Sequence, residues 1–371
     1  VTEALADLSQ AQSASKRGLN RDVPSSQPVV RFVDPLAGPE WDRLVLSHPD
    51  CNFFHTAAWA KVLCETYSHK PFYMSLSERG KLLALVPMME VRSAITGQRG
   101  VCVPFADFCE PLVFDGCESK LVIETLARIA RERNWKYFEV RGRKTFQFSS
   151  VPAVAFYGHQ LDLRSGSEEL FACLASSVRR AIRKAEKSGL CVRVSQASDA
   201  INEFYRLHVQ TRKRHGLPPQ PASFFLRIQE DVIKAGLGFV VLAASGSRAV
   251  AAAVFFQTGK KAVYKFGACD TRFQEFRGNN FVMWEGIKYL AQHGAEGLHL
   301  GRTSLENDGL RRFKLSWGAK EEKIEYFRFD PATNTCLTGR DNASGFHNTV
   351  FARLPARVNQ LIGALVYPHL D

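Results

Sequence analysis

The sequence predicts an α+β fold built as two tandem units, each a mixed, mostly antiparallel sheet flanked by helices. Three observations lead there. One order of elements (strand, two helices, three-strand meander, helix, strand) is written twice along the chain. Turn residues such as Glu78-Arg79-Gly80, Ser245-Gly246-Ser247 and Gly259-Lys260 cut the apolar runs to strand length. The length of 371 residues suits two domains of roughly 100–200 residues, and an apolar content of 45% supplies their cores.

Residues 1–28 are polar, lack an apolar export core and read as a disordered leader. The first unit, 29–164, opens with a strand at Val29–Val33 and helices at Pro39–Ser47 and His55–Tyr67, where Trp59, Val62, Leu63 and Thr66 keep helical spacing. Strands follow at Pro71–Ser77, Lys81–Val91 and Gly100–Phe114, the last interrupted by Pro104 and Pro111. Glu118–Asn134 is an amphipathic helix, and Trp135–Arg141 closes the unit as a strand. Gln160–Leu163 is a further strand before a basic helix.

The second unit, 165–330, repeats the order. Leu190–Ser195 is a strand; Ala197–His215 and Pro221–Ala235 are helices. Gly238–Ala244, Arg248–Gln257 and Lys261–Cys269 form the meander. Asn280–His293 is a helix stopped by Gly294, Gly297–Gly301 a strand, Gly309–Trp317 a short helix and Glu322–Asp330 the last strand. Residues 331–371 hold a loop and one amphipathic helix, Val350–Tyr367, whose stripe of Leu354, Val358, Leu361, Ile362 and Leu365 is expected to pack across a domain.

A net charge of +12 favours an anionic partner: nucleic acid, a nucleotide cofactor or anionic lipid. The nine cysteines are scattered, without C-x-x-C or a zinc pattern, and read as reduced, mostly buried thiols of a cytoplasmic protein. No run approaches the ~18 apolar residues of a membrane span. A metal is not expected, nor a permanently bound cofactor, and a monomer is.

The stretch Leu298–Ser304 followed by Gly309–Gly318 carries the chemistry. It is a strand ending in Gly301-Arg302, a polar loop, then a helix holding Phe313-Lys314. Arg302 can fork onto a phosphate or carboxylate, and Lys314 is a point cation that can face a developing oxyanion. His215, at a helix end before Gly216-Leu217-Pro218-Pro219, is a candidate general base, and Tyr264 a candidate acyl contact. Arg277, Gly278 and Asn280 open a helix and can meet a phosphate. Arg179, Arg180, Arg183, Lys184 and Lys187 cover one face of the basic helix, and Arg212–His215 add a second cluster; both suit a phosphate backbone.

A Gly-Arg-Thr-Ser element followed by Gly-x-x-x-Phe-Lys-x-x-Trp-Gly resembles the FemAB-like branch of the GNAT (BioF2-like) acyltransferase superfamily, close to the group that accompanies exosortase and exopolysaccharide genes. The resemblance extends through Ser177–Gly189, His208–Pro221 and Val103–Asp107. It implies two tandem GNAT-type domains, with the acyl donor lying where the fourth and fifth strands splay. It further implies contacts to donor or acceptor from Asp107, Phe313 and Trp317. Relatives carry Asp where this chain has His299. The branch transfers acyl or aminoacyl groups to an amine, among them amino acids from aminoacyl-tRNA onto a cell-wall precursor. CoA-using GNAT enzymes carry R/Q-x-x-G-x-G/A before the helix; Arg272–Asn280 offers one glycine at the wrong spacing. The donor is therefore expected to be aminoacyl-tRNA or acyl-CoA, with the former preferred. The alternatives are an acetyl-CoA-dependent small-molecule N-acetyltransferase and a non-catalytic nucleic-acid-binding module.

Overall fold

The computed structural model describes residues 28–142, 151–333, 335–339 and 346–371, so the expected leader lies outside them but for Pro28. The first half contains β1 (Val29–Val33), α1 (Glu40–Leu46), α2 (Ala57–Tyr67), β2 (Lys70–Pro71), β3 (Tyr73–Glu78), β4 (Lys81–Val86), β5 (Met89–Ser93), β6 (Gly97–Val101), β7 (Leu112–Val113), α3 (Ser119–Glu132) and β8 (Phe138–Gly142). The bridge holds β9 (Val154–Asp162), α4 (Gly166–Cys173) and α5 (Ser176–Lys187). The second half runs through β10 (Cys191–Ser195), α6 (Ser198–Arg214), α7 (Ala222–Arg227) with a π turn at Ile228–Ile233, β11 (Gly238–Ser245), β12 (Arg248–Thr258) and β13 (Lys261–Cys269). It continues through α8 (Gly278–Gln292), β14 (Gly297–His299), β15 (Thr303–Ser304), α9 (Asp308–Leu315) and β16 (Lys320–Asp330). The tail adds β17 (Thr335–Leu337), α10 (Phe346–Arg353) and α11 (Ala356–Val366).

The helices form where the apolar spacing places them. On α3 the buried set Val122, Leu126, Ile129 and Ala130 keeps the i, i+3, i+4 pattern. On α5 the buried residues are Val178, Ile182 and Ala185, and the basic residues cover the remainder. Proline accounts for the main departures from expectation, because it removes a backbone donor. Pro87 splits the expected Lys81–Val91 strand into β4 and β5, which join different sheets. Pro355 breaks the expected Val350–Tyr367 helix into α10 and α11. Nor is the apolar stripe its packing side. Leu361 and Leu365 are 67% and 72% exposed, whereas Asn359, Gly363 and Tyr367, four apart along the helix face, are buried.

Two sheets result. The smaller is β1-β3-β4-β7. The larger has 13 strands, with a main path β10-β11-β12-β13-β14-β9-β16-β8-β6-β5-β2 that crosses both halves. Its pairs are antiparallel except β13 with β14 and β6 with β8. Each of these parallel pairs is joined through a helix, α8 and α3 respectively. The boundary expected at residue 164 follows β9, and β9 pairs with β14, β15 and β16 of the second half.

The halves also share a core. Phe53 stacks on Phe256 at 4.3 Å, and Trp59 meets Phe224 edge-on at 5.8 Å. Such aromatic pairs add about 0.5–1.5 kcal/mol to the burial of their area. None of the nine cysteines is paired. Cys51, Cys102 and Cys109 are buried as expected, but Cys173 and Cys191 are exposed, Cys191 because β10 is an edge strand of the large sheet. Among the described residues no helix is long and apolar enough to cross a membrane.

Candidate active site

β13 and β14 run side by side for three residues, ending at Val263 opposite His299. Past that pair they part, and β13 continues to Cys269. A β-bulge lies just beyond. Val254 pairs with Phe266 and Phe255 with Tyr264, which leaves Lys265 as the extra residue. A bulge re-aims a side chain, and here Lys265 turns toward the first half of the molecule. Its Nζ donates to the Phe105 carbonyl at 2.7 Å and to Asp107 Oδ2 at 3.1 Å.

The loop that brings Asp107 is held under strain. Val103 and Phe105 take φ of 54° and 58°, a region costing bulky residues about 1–3 kcal/mol each. Arg141 Nη1 donates to the carbonyls of Val103 and Ala106 at 3.4 and 3.2 Å. The Tyr326 hydroxyl donates to the Asp107 carbonyl at 2.7 Å. Arg302 Nη1 in turn reaches the Tyr326 hydroxyl at 2.8 Å, and its guanidinium lies over the Phe156 ring at 4.5 Å.

Lys314 reaches the same place from α9. It is buried, and its Nζ donates to the carbonyls of Gly301 and Arg302 at 2.8 and 3.0 Å. Gly301 makes the turn at φ 75°, which an L side chain rarely adopts, and lies against Asp107. One carboxylate thus faces Lys265, Arg302 and Lys314. Burial raises the Asp107 carboxyl, but the charges of Lys265 and Arg302 outweigh it and hold the group below its ordinary value. Burial drives Lys314 down to about 7; Asp107 opposes the fall, and Lys265 and Arg302 add to it. Burial lowers Lys265 too, against the pull of Asp107. The cluster sets three cations against one carboxylate, with Lys314 buried, Lys265 half-buried and Arg302 open to solvent, so it is suited to a ligand group that is, or becomes, anionic.

On the face bearing α8, two adjoining hollows of about 390 and 430 Å³ share Arg277, Asn280 and Phe313. Arg214 and Gly278 line the first, Arg180 and Lys184 the second. Both lie at the start of α8, where backbone N–H groups and the helix dipole favour an anion. Arg272 is occupied elsewhere, held by Asp270 at 2.7 Å.

The structure therefore brings together Arg302, Lys314 and Asp107 in one cluster, and Arg277, Gly278, Asn280, Phe313, Arg180 and Lys184 in one groove. Tyr264 is half-buried immediately before the bulge and packs on Phe255; burial pushes its phenol up to about 12. Others fall elsewhere. Trp317, expected as a ligand contact, is wholly buried and backs Phe313 at 6.0 Å from inside the core. Arg179 bonds the Ala172 carbonyl, joining α4 to α5. Arg183 lies over the Phe171 ring, and Lys187 is exposed at the end of α5. His215 ends α6, exposed, where its carbonyl accepts from Asn348, and it is not among the residues lining either hollow. Within the second basic cluster, Arg212 is committed to Tyr367 and Pro218.

Sequence reasoning missed Lys265 and Tyr326. Lys265 had a signal, a lone cation inside the apolar run Ala262–Phe266. Tyr326 had none, since its role depends on pairing across the sheet. At the position where the resemblance implies Asp, His299 Nδ1 accepts the Gly301 N–H at 3.0 Å, which leaves the ring proton on Nε2, 3.4 Å from Glu322 Oε1.

Residues 174–323 match the acetyltransferase (GNAT) domain family. No curated protein is significantly similar in sequence. Among solved structures, FemX superposes with a TM-score of 0.63 at 14% identity, covering 80% of this chain and 96% of its own. A tandem GNAT protein from the clavulanic acid biosynthesis pathway gives 0.53 at 9% identity, covering 82% and 99%. L-PGS from Bacillus licheniformis gives 0.52 at 14% identity, covering 88% and 97%. These agree with the resemblance read from the Gly-Arg and Phe-Lys motifs. Residues 174–323 thus form an acetyltransferase (GNAT) domain, and the chain around them has the fold of FemX, as the resemblance to the FemAB-like branch implies.

Proposed function

We propose that the protein transfers an acyl or aminoacyl group to an amine of a cell-envelope precursor or polysaccharide sugar, in the cytoplasm and as a monomer. The observation that carries this reading is the cationic cluster where β13 and β14 part. A donor carbonyl held there meets Lys314 and Arg302, and Lys265 beyond them, as negative charge develops on its oxygen. One such preorganised donor is worth about 2.7–4 kcal/mol of activation free energy. The acceptor class follows from the FemAB resemblance, and the exposed Leu361 and Leu365 of α11 favour work at a membrane surface.

For the donor we favour aminoacyl-tRNA. The groove runs from Arg277 to Arg180 and Lys184 on α5, a longer cationic track than a single diphosphate requires. Acyl-CoA is the second reading, favoured by the acetyltransferase domain match. Calorimetry with acetyl-CoA beside tRNA filter binding at two salt concentrations separates them. Saturable tRNA binding that weakens steeply with salt supports the first reading. Tight CoA binding with absent or salt-insensitive tRNA binding overturns it in favour of the second.

A further inference from the structure

The loop that carries Asp107 is also gripped from the far end of the sequence. After α11 the chain makes a single 3-10 turn at Tyr367–His369 and runs on to Asp371. This strap is anchored on both halves. On the second, Gly363 of α11 lies so close to the loop before α7 that a Cβ there would come within 2.0 Å of the Pro219 carbonyl. Arg212 of α6 donates to the Tyr367 hydroxyl at 2.9 Å. On the first, Arg99 of β6 is buried and donates to the His369 carbonyl at 2.9 Å and to Asp371 Oδ2 at 2.5 Å. The Thr96 hydroxyl donates to the His369 carbonyl at 3.3 Å, and the Tyr137 hydroxyl to Asp371 Oδ2 at 3.2 Å.

The strap meets the loop twice. The buried Tyr367 ring packs on Phe105 at 5.7 Å, and Tyr67 packs on the same ring at 5.1 Å. His69, which donates to the Pro368 carbonyl at 3.3 Å, stacks on Phe105 at 6.2 Å. Asp371 Oδ1 is 3.9 Å from Arg141 Nη2, and Arg141 is the residue whose Nη1 holds the Val103 and Ala106 carbonyls. Phe105 is thus held by its ring, and the backbone on either side of it through Arg141. The Phe105 carbonyl accepts from Lys265, and Asp107 follows two residues on. Val103 and Phe105 both have positive φ, and such conformations persist only where the surroundings over-determine them. Lys265 and Tyr326 hold the loop from within the site, whereas the strap holds it from elements outside the site.

We infer that Tyr367 and Asp371 are positioning residues for acyl transfer, fixing the 103–107 loop so that Asp107 faces Lys265. The inference rests on the acyl-transfer reading above, and both residues act only through the loop. A slackened strap lets Val103 and Phe105 relax to negative φ, the region that L side chains prefer. That change turns the Phe105 carbonyl and Asp107 away from Lys265. Lys265, Arg302 and Lys314 then lose the carboxylate that orders them. The cationic groove at the start of α8 is built from other elements and keeps its shape. The rate of transfer should therefore suffer while donor binding does not.

The test compares the full chain with three variants by amide chemical shifts and by steady-state transfer kinetics. Asp371→Asn removes the charge at nearly constant size, Asp371→Glu restores it, and Tyr367→Leu removes the ring that packs on Phe105. Asp371→Asn and Tyr367→Leu are expected to move the amides of Val103, Phe105, Ala106, Asp107 and Lys265, while those of the remote strand β10 stay in place. Each should lower kcat about tenfold or more and leave KM for the donor within about twofold, the signature of misplaced rather than unbound groups. Asp371→Glu should recover both the loop shifts and most of the rate. If Tyr367→Leu does not fold, the two Asp371 variants decide. A lower melting temperature in Asp371→Asn with loop shifts and kcat unchanged makes the strap a structural tie only and overturns the inference, as do equal losses in Asp371→Asn and Asp371→Glu. Loop shifts in a protein that transfers to no amine would uphold the strap's hold on the loop and remove the transfer reading. Transfer at the wild-type kcat in Asp371→Asn would do the reverse.

Discussion

The two parallel strand pairs of the large sheet make a natural comparison. Each joins a meander strand to the strand after the next helix, β6 with β8 in the first half and β13 with β14 in the second. Their charges differ. Beside β8, Glu139 is fully buried and bonded by Arg141 at 2.7 Å and Arg328 at 2.5 Å. Arg99 is closed by Asp371 at 2.5 Å. Each of these guanidiniums bonds a carboxylate directly. Beside β14, one carboxylate faces three cations, and one of these is held near neutrality by burial. The same topology thus supports a closed structural network in one half and an unbalanced, ligand-seeking one in the other. The first half even lends its own loop, through Asp107, to the second.

The largest expected effect tests the closed side. Glu139→Ala leaves Arg141 buried without its main partner and is expected to cost about 3–5 kcal/mol of stability in urea denaturation. Because the halves share a core through Phe53, Trp59, Phe224 and Phe256, the loss should come as one cooperative transition. Two separate transitions would show the halves to be independent.

The open side should respond in rate. Lys314→Met and Arg302→Gln are each expected to lower transfer about 10²–10³-fold in a protein that still folds cooperatively. Near-normal turnover in both would remove the cluster from catalysis. Lys314 also predicts a pH dependence. Its folded value of about 7 lies below the ordinary 10.5, so the unfolded chain binds more protons between those values. Stability should therefore rise with pH across that window and be lost as pH falls through about 7. Lys314→Met should flatten the rise; an unaltered slope would contradict it. Transfer that needs the charged ammonium should fall as pH rises through about 7, and Lys314→Arg should abolish that limb.

The smallest effect belongs to the groove. Arg180→Ala with Lys184→Ala should weaken tRNA binding and reduce its log–log salt slope by about 0.7–0.9 per cation removed. The corresponding control, Arg179→Ala, should leave the slope unchanged, since Arg179 holds the Ala172 carbonyl. A slope altered equally by both would mean that the basic helix acts as a diffuse surface.

Much of this was legible in the sequence. Apolar periodicity and turn residues, which are local, located Lys261–Cys269 at its observed limits and most other elements to within a few residues. The Gly-Arg and Phe-Lys motifs placed Arg302 and Lys314 together, because a strand end and the following short helix are close in the chain. Tertiary structure alone decided the rest. A bulge turned Lys265 out of an apolar strand, and a strained loop some 160 residues away met it with Asp107. Cross-strand register set His299 beside Glu322 over a glycine. Pattern along the chain reports what each residue's neighbours are like, whereas a buried charge takes its role from groups that only folding brings within a few ångströms.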